Sequence, residues 1–425
     1  MSSKDDILKM FDSAIEAVLP KNAINNSLKL DNNSLIVLDK SYNLGSYKDI
    51  YLCGSGKASY LMAQEIEHIL GNKIISGVVV SPIKNANLSF SSHYQSTHPI
   101  PTKKSIDASK MMLEELAKMC SEDLLIYCLS GGSSALLELP VDDITLDDFA
   151  KSTKILLENG FAIDEINSVR KHISLVKGGR LATSTKAEII VLVISDVIGD
   201  DLESIASAPF YFDTSTFNDV FRLLKDKNVF GLLPLSVQGV IQGGLNGDIE
   251  ETPKKLRADV NHAIISNNLS ALKASASCAS ELGYDVKIVE KSIDGDVEVA
   301  ARVFVKSAKE LKSGQVIIQG GECTVNVTGS GIGGRNQHFL LTALRELDEN
   351  ITILSAGTDG IDGNSEDTGA VISLDTKKEA NNLNLSINEY INNFNSNSFF
   401  KRLDSLISVG YTGTNVMDIM IAIRE

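Results

Sequence analysis

The sequence predicts an α/β protein with a parallel sheet in its first half and a second α/β set in its second half. Apolar runs of strand length alternate with segments of helical period, and this alternation is typical of parallel sheets, whose strands are joined by helices. The chain has 425 residues, whereas a single hydrophobic core stops growing at about 250 to 300 residues. We therefore expect two domains.

The first half contains four apolar runs of strand length. They are YLC before Gly54, GVVVS from Gly77, LLIYCLS from Leu124 and EIIVLVIS from Glu188. Segments with helical period lie between them, SIDASKMMLEELAKM from Ser105 and LDDFAKSTKILLENG from Leu146. The first twenty residues are predicted to form a further amphipathic helix.

Loop signals in residues 245–255 interrupt this pattern. We expect the second α/β set to begin with VNHAIIS and to continue with a helix from Asn268, the strand YDVKIVE, a helix through Arg302 and the strand QVIIQGGE. Further on, ITILSAG indicates another strand, followed by a long loop and surface helices. The predicted domains are residues 1–250 and 251–425.

Composition excludes several classes of protein. With 43% hydrophobic and 22% charged residues, the chain is close to the globular average. The net charge of -15 argues against nucleic-acid binding, and no apolar stretch approaches the length of a membrane span. Five scattered cysteines and the lack of a signal-peptide pattern indicate reduced thiols and a cytoplasmic location.

Five polar, Gly-rich loops follow predicted strands. In open parallel sheets, ligands bind beyond the carboxyl ends of the strands, so these loops are the candidate ligand site. They are Gly54–Lys57, Ser130–Ser134, Ser195–Asp201, Gly320–Glu322 and Gly357–Gly363.

The first two loops are candidates for phosphate binding. Gly54-Ser55-Gly56-Lys57 is not a Walker A loop, because Tyr51 stands where that motif needs glycine and Ala58 where it needs Ser or Thr. It also lacks the acidic residue of a nicotinamide fingerprint. Ser130-Gly131-Gly132-Ser133 offers backbone N–H groups and two hydroxyls that suit a phosphate or carboxylate, although a flexible turn is the alternative.

Two carboxylates are candidates for chemistry. Asp196 follows a buried strand, where it could hold Mg²⁺, accept a proton or cap a helix. Asp359 lies in a loop that is not a calcium-binding EF-hand, because Ile361 and Gly363 occupy ligand positions. We interpret that loop as a carboxylate-bearing part of an active site.

Basic residues are concentrated at two places. One cluster comprises four basic residues within eleven positions: Arg170, Lys171, Lys177 and Arg180. It could form a solvated helix face or an anion site, and both interpretations stay open. Arg335 follows four glycines and is predicted to lie near a helix N-terminus, with its guanidinium available to a carboxylate or phosphate. His172 and His338, on amphipathic helices, are interpreted as structural residues.

Taken together, these loops resemble those of the class II glycerate 2-kinases, whose C-terminal part is called the MOFRL domain. Ten motifs occur in the same order between about residues 50 and 420: CGSGKAS, STHPIPTKKSIDASK, LSGGSSALLELP, INSVRKHISLVKGGRLA, ISDVIGDDLESIASAP, SNNLSALKA, GGECTV, GGRNQHFLL, SAGTDGIDG and GYTGTNVMD. The resemblance implies a Rossmann-like N-terminal domain, with the active site in a cleft between it and the MOFRL domain. It also implies Mg²⁺-dependent phosphorylation of D-glycerate by ATP at the 2-hydroxyl.

The family's active-site lysine and arginine fall on Lys57 and Arg335. We expect these two residues, with Asp196 and Asp359, to be catalytic. Asp196 is also the expected metal ligand, and Asp359 is expected to orient or deprotonate the hydroxyl. The residues expected to bind ATP are Gly54, Ser55, Gly56, Ser130, Gly131, Gly132, Ser133, Lys177 and Glu322.

Three alternatives remain open from the sequence. The chain could be an NAD(P)H-dependent hydroxypyruvate reductase, a kinase of a related small hydroxy acid, or a catalytically silent sensor that keeps the ligand site. The absence of a ribose-binding acid argues against the reductase. The expected partners are glycerate and ATP, with no nucleic acid and no membrane, and a homodimer is allowed.

Overall fold

The computed structural model describes residues 2–141 and 143–425. The chain divides into two compact units. The N-terminal unit is Ile24–Ile265, and the C-terminal unit is Ser266–Glu425 together with the chain up to Ala23. Among the described residues, no helix combines the length and the apolar composition that a membrane crossing requires.

The N-terminal unit contains a seven-stranded sheet. Its strands are β4 (Ile50–Ser55), β5 (Ile74–Ser76), β6 (Val78–Ser81), β7 (Ser92–Gln95), β8 (Leu124–Ser130), β9 (Glu188–Ile194) and β10 (Val260–Ser266). Their order is β10-β9-β8-β4-β6-β7, with β5 beside β4. The neighbouring strands β9, β8, β4, β6 and β7 all pair in parallel. This confirms the predicted parallel sheet. A small antiparallel sheet precedes it: β1 (Leu28–Asp31), β2 (Ser34–Val37) and β3 (Lys40–Asn43).

Helices of this unit pack around two hydrophobic cores. One core joins the sheet to α4 and includes Tyr127 and Phe210. The other lies among α6, α7, α9 and α10 and includes Phe149 and Phe217. The helices are α3 (Ser59–Leu70), α4 (Lys103–Leu116), α5 (Ser133–Leu136), α6 (Leu146–Glu158), α7 (Ile163–His172), α8 (Arg180–Thr183), α9 (Phe217–Asp226) and α10 (Leu235–Asn246), and α2 (Pro20–Ser27) enters the unit at its start.

A mixed six-stranded sheet forms the centre of the C-terminal unit. Its strands are β11 (Asp285–Ile288), β12 (Gln315–Gly321), β13 (Ile351–Gly357), β14 (Gly369–Ile372), β15 (Leu406–Ile407) and β16 (Asp418–Arg424), in the order β11-β12-β16-β13-β14-β15. β11 and β12 are parallel, and the other pairs are antiparallel. The helices are α1 (Ser3–Val18), α11 (Asn268–Glu281), α12 (Val297–Lys309), α13 (Arg335–Glu346), α14 (Leu374–Asn382), α15 (Ile387–Asn392) and α16 (Ser396–Lys401).

Two assignments differ from those expected. VNHAIIS, expected to open the second set, is β10 and extends the first sheet beside β9, where Asp259 just before it accepts a hydrogen bond from Ile189. The first helix, α1, belongs to the C-terminal unit, since its buried face packs on α11 and Ser13 donates to the Ala274 carbonyl. Pairing and packing between residues distant in sequence decide both, and periodicity does not report them.

Candidate active site

Three Gly-rich loops begin side by side at the carboxyl edge of the N-terminal sheet. Ser55, at the end of β4, lies opposite Leu129 of β8, and Ser130 lies opposite Ile194 of β9. Because these strands are parallel, the loops that follow them leave the sheet together. This is the edge at which the sequence predicted a ligand site.

Gly56 fixes the first of these loops against the second. Its φ is +135°, and a Cβ there would lie 2.1 Å from Ser130 Oγ. The next two residues are then tied to the second loop, because Lys57 N–H donates to the Gly131 carbonyl at 2.9 Å and Ala58 N–H donates to Ser130 Oγ at 3.0 Å. Glycine is required at position 56 by both backbone conformation and space.

The absence of side chains at Gly131 and Gly132 makes room for three functional groups. A Cβ on Gly131 would lie 1.9 Å from Asp196 Oδ2. A Cβ on Gly132, which has φ of +82°, would lie 2.9 Å from His98 Cδ2 and 3.1 Å from Lys57 Cγ. The structure thus brings the predicted Lys57 and Asp196 to one glycine turn, and His98 joins them.

Burial and the charge of Lys57 shift the pKa values of Asp196 and His98. Burial raises the pKa of Asp196, and the nearby Lys57 ammonium acts against that rise. Partial burial of the ring and the Lys57 charge lower the pKa of His98 to about 4, although the residue as a whole is exposed. The imidazole of His98 is therefore neutral at pH 7.

His98 was not predicted as a site residue. It lies in the motif STHPIPTKKSIDASK and follows β7, a strand of four residues that the hydrophobic pattern did not reveal. The rule that ligand-binding groups follow strand ends would have selected it, had that strand been recognised.

In the C-terminal unit, Asp418 lies where the start of β16 is beside the ends of β12 and β13. It is the first residue of β16 and lies opposite Gly321 of β12 and Gly357 of β13. Because β16 runs antiparallel to both neighbours, its start lies at their carboxyl ends, beside the loops that carry Glu322 and Asp359. Two of the predicted loops therefore flank one buried carboxylate.

Arg335 is the first residue of α13, which confirms its predicted place at a helix N-terminus. Its guanidinium faces carboxylates of its own unit. Nε and Nη2 donate to Asp418 at 2.6 and 2.9 Å, and Nη1 lies 2.7 Å from Glu322 Oε1. These three contacts involve three of the five guanidinium N–H groups.

The N-terminus of α13 is capped by Asp362, which is 1% exposed. Its carboxylate accepts hydrogen bonds from the Asn336 and Gln337 amides at 3.0 and 2.9 Å. Burial, assisted by the charge of Asp418, raises the pKa of Asp362 to about 7 despite these bonds and the nearby Arg335. The helix dipole is thus directed at Asp362.

Asp359 lies close to Asp418. A Cβ on Gly357 would be 3.1 Å from Asp359 Oδ1 and 3.4 Å from Asp418 Oδ1, so the two carboxylates flank that glycine. Asp359 Oδ1 also accepts a hydrogen bond from Ile361 N–H at 3.2 Å. The loop is held in shape by its own aspartate, and it carries a carboxylate at the strand end as predicted.

Comparisons with known proteins identify the family. Residues 6–242 match the domain of unknown function DUF4147, and residues 315–418 match the MOFRL family. A curated glycerate 2-kinase from Pyrococcus horikoshii is 36% identical over 98% of this chain and 96% of its own. The chain belongs to the glycerate 2-kinase family. The resemblance drawn from its motifs is confirmed.

Other members of the glycerate 2-kinase family have similar sequences and folds. The D-glycerate 2-kinase of Thermotoga maritima is 34% identical over 99% of this chain and 98% of its own. A crystal structure of glycerate kinase from Thermotoga maritima has a TM-score of 0.88, with 33% identity and 99% of both chains covered. A crystal structure from Pyrococcus horikoshii has a TM-score of 0.86 at 34% identity, covering 100% of this chain and 99% of the other.

Three serines that were expected to bind ATP are buried between the first two Gly-rich loops. They are Ser55, Ser130 and Ser133. Ser55 Oγ hydrogen-bonds with Tyr127 Oη at 2.6 Å and with Ser133 Oγ, and Ser130 Oγ accepts from the Ala58 amide. None is more than 2% exposed. Their hydroxyls hold the loops together, and their expected contact with ATP stays a prediction.

Lys177, which was also expected to bind ATP, is engaged by groups within the protein. Its ammonium is buried, donates to the carbonyls of Ser134 and Leu137 at 2.8 and 3.1 Å, and lies 3.0 Å from Glu138 Oε2. Glu138 is fully buried as well. Lys177 therefore holds the end of the loop that starts with Gly131 and Gly132, and its charge is directed at the protein.

In the basic run of residues 170–180, Lys171 belongs neither to a solvated helix face nor to an anion site. It is 3% exposed and pairs with Glu203 at 3.1 Å and Asp213 at 3.4 Å. His172, interpreted as structural, is fully buried with Nδ1 2.8 Å from the Ser168 carbonyl. This part of the run is a buried charge network.

The residues present are compatible with Mg²⁺ that is bound by one protein carboxylate together with substrate phosphates. The described residues contain no group of three or more His, Cys, Asp or Glu that could hold a metal by themselves. Mg²⁺ in kinases is commonly bound by one or two carboxylates plus substrate phosphates. Asp196, beside the glycine turn, supplies a carboxylate suited to that mode.

Proposed function

We propose that this chain transfers the γ-phosphoryl group of ATP to the 2-hydroxyl of D-glycerate, with Mg²⁺ as the metal ion. The relatives it matches along their full length are named as glycerate 2-kinases. The observation that carries the proposal is the grouping of Lys57, Asp196 and His98 around Gly131 and Gly132. Phosphoryl transfer depends on such positioned cations, carboxylates and close backbone approach.

Each residue has a proposed task. Lys57 stabilises the charge of the phosphoryl group in the transition state. Asp196 holds Mg²⁺, which when bound neutralises phosphate charge. Gly131 and Gly132 bring the backbone close to Asp196 and Lys57, whereas Gly54 and Gly56 bring the first loop against Cys128 and Ser130.

Two residues of the C-terminal unit, Arg335 and Asp359, also have proposed tasks. We propose that Arg335 directs its remaining N–H groups at phosphate charge or at the glycerate carboxylate, with its plane set by Asp418 and Glu322. Asp359 orients the 2-hydroxyl or accepts its proton.

An enolase-coupled assay tests this function and its regiochemistry. D-Glycerate with MgATP is expected to give 2-phosphoglycerate, which enolase consumes directly. A signal that needs added phosphoglycerate mutase would show the 3-isomer instead. Turnover of tartronate in preference to glycerate would show a related hydroxy-acid kinase, and NADH oxidation with hydroxypyruvate in place of ATP turnover would overturn the proposal.

A further inference from the structure

His98 places an imidazole beside Lys57 at the glycine turn. The residue is exposed, and its ring makes no hydrogen bond to any described residue. The ring nevertheless has a defined place, since Nε2 would lie 3.2 Å from a Cβ on Gly132 and Lys57 Cγ would lie 3.1 Å from that same point. The imidazole and the Lys57 side chain thus border one glycine.

The imidazole of His98 offers an acceptor nitrogen in this position. Partial burial of the ring and the charge of Lys57 keep it neutral at pH 7, and a neutral imidazole has one ring nitrogen with an available lone pair. The neighbouring carboxylate, Asp196, is proposed to hold the metal. His98 is therefore a basic group beside Lys57 that has no other assigned task.

We propose that His98 is the general base of the phosphoryl transfer. The proposal rests on the function proposed above and gives Asp359 no part in accepting the proton. The O–H bond of the glycerate 2-hydroxyl breaks, its electron pair forms the new O–P bond, and its proton moves to the His98 ring nitrogen. The bond between the γ-phosphorus and the bridging oxygen breaks, its electron pair leaves with ADP, and the proton later passes to water.

Chemical rescue tests this role. General bases contribute about 10² to 10⁴ to the rate, so His98→Ala is expected to lower kcat by on the order of 10² or more, with the KM for ATP little changed. Because His98 is exposed and next to a glycine, free imidazole can occupy the vacated space. Imidazole is expected to restore activity in proportion to its concentration, and more basic substituted imidazoles are expected to restore more.

Two variants serve as controls. His98→Gln keeps a polar side chain and fills the space, so it is expected to be slow and not rescued. His68→Ala removes an exposed histidine of α3 and is expected to keep wild-type kinetics with or without imidazole. Thermal unfolding of each variant shows whether it is folded.

Three outcomes would overturn the proposal while leaving the kinase function in place. Wild-type kcat in folded His98→Ala would remove His98 from the chemistry. A raised KM for ATP with unchanged kcat would place the ring against the nucleotide. A low kcat that no imidazole restores would show a positioning role. If the wild-type protein itself forms no phosphoglycerate, the proposed function and the assignment of His98 both fail.

Discussion

Arg335 and Asp418 face each other through two parallel hydrogen bonds, from Nε at 2.6 Å and from Nη2 at 2.9 Å. Asp418 is fully buried at the start of the last strand, 83 residues away in sequence. This pairing fixes the plane of the guanidinium and leaves Nη1 beside Glu322. The helix that carries Arg335 therefore does not by itself decide where the charge points.

Arg335→Lys is expected to lower kcat/KM by on the order of 10², because a lysine ammonium cannot reproduce the two-point contact with Asp418. Steady-state kinetics with glycerate and MgATP measure the effect. The matched control is Arg302→Lys, a surface arginine paired with Glu298 at 3.3 Å, for which no change is expected. Full activity of Arg335→Lys would show that the bidentate geometry is irrelevant.

Lys57→Ala is expected to lower kcat by on the order of 10² or more, about 3 kcal/mol of transition-state stabilisation. The Lys57 amide, not its side chain, makes the hydrogen bond to the neighbouring loop, so the fold should persist, as circular dichroism would show. Lys110→Ala on exposed α4 surface is the control. A near-normal kcat would remove Lys57 from the phosphoryl site.

Asp196→Asn and Asp359→Asn are expected to differ in kind. Loss of the Asp196 carboxylate should raise the Mg²⁺ concentration needed for half-maximal rate, whereas loss of Asp359 should depress kcat with that requirement unchanged. A Mg²⁺ titration of both variants makes the comparison. Exchanged phenotypes would reverse the two roles, and wild-type kinetics in both would leave each carboxylate with a structural role only.

Lys177→Met is expected to reduce the free energy of unfolding by about 3 to 5 kcal/mol, because it leaves the buried Glu138 carboxylate without its ion-pair partner. The double variant Lys177→Met with Glu138→Leu removes both charges and is expected to recover most of that loss. Urea unfolding curves measure both. If Lys177→Met unfolded normally but had a raised KM for ATP, the expectation that Lys177 binds ATP directly would be supported.

Asp362 is expected to make the free energy of unfolding depend on pH. Its pKa in the folded chain is about 7 against 3.8 for the ordinary carboxyl, so between these values the folded state binds more protons than the unfolded state. Its contribution to stability is therefore present below about pH 4 and is lost as the pH rises through about 7. Asp362→Asn should flatten this dependence in unfolding midpoints measured from pH 4 to 8, and an unchanged slope would contradict the shift.

The sequence by itself determined the longer apolar strands, such as β4, β8 and β9, and the Gly-rich loops that follow them. Residues such as Gly56, Gly131 and Gly132 are informative because their roles depend on local backbone shape and on a rule about parallel strands. The motifs likewise identified the family, because ten of them occur along the chain in the family's order. Arg335 was placed at its helix end because the preceding glycines and the apolar helical face are local features.

Only the tertiary structure decided where side chains point and which distant elements pair. Lys177 was expected to bind ATP, and its charge proved to be directed at Glu138 and two carbonyls. His98 joined Lys57 only through the packing of a short strand, and β10 and α1 were assigned to their units by contacts with residues far away in the chain. The physical reason is that periodicity and local motifs record neighbours along the chain, whereas a side chain's partner is fixed by strand register and burial in three dimensions.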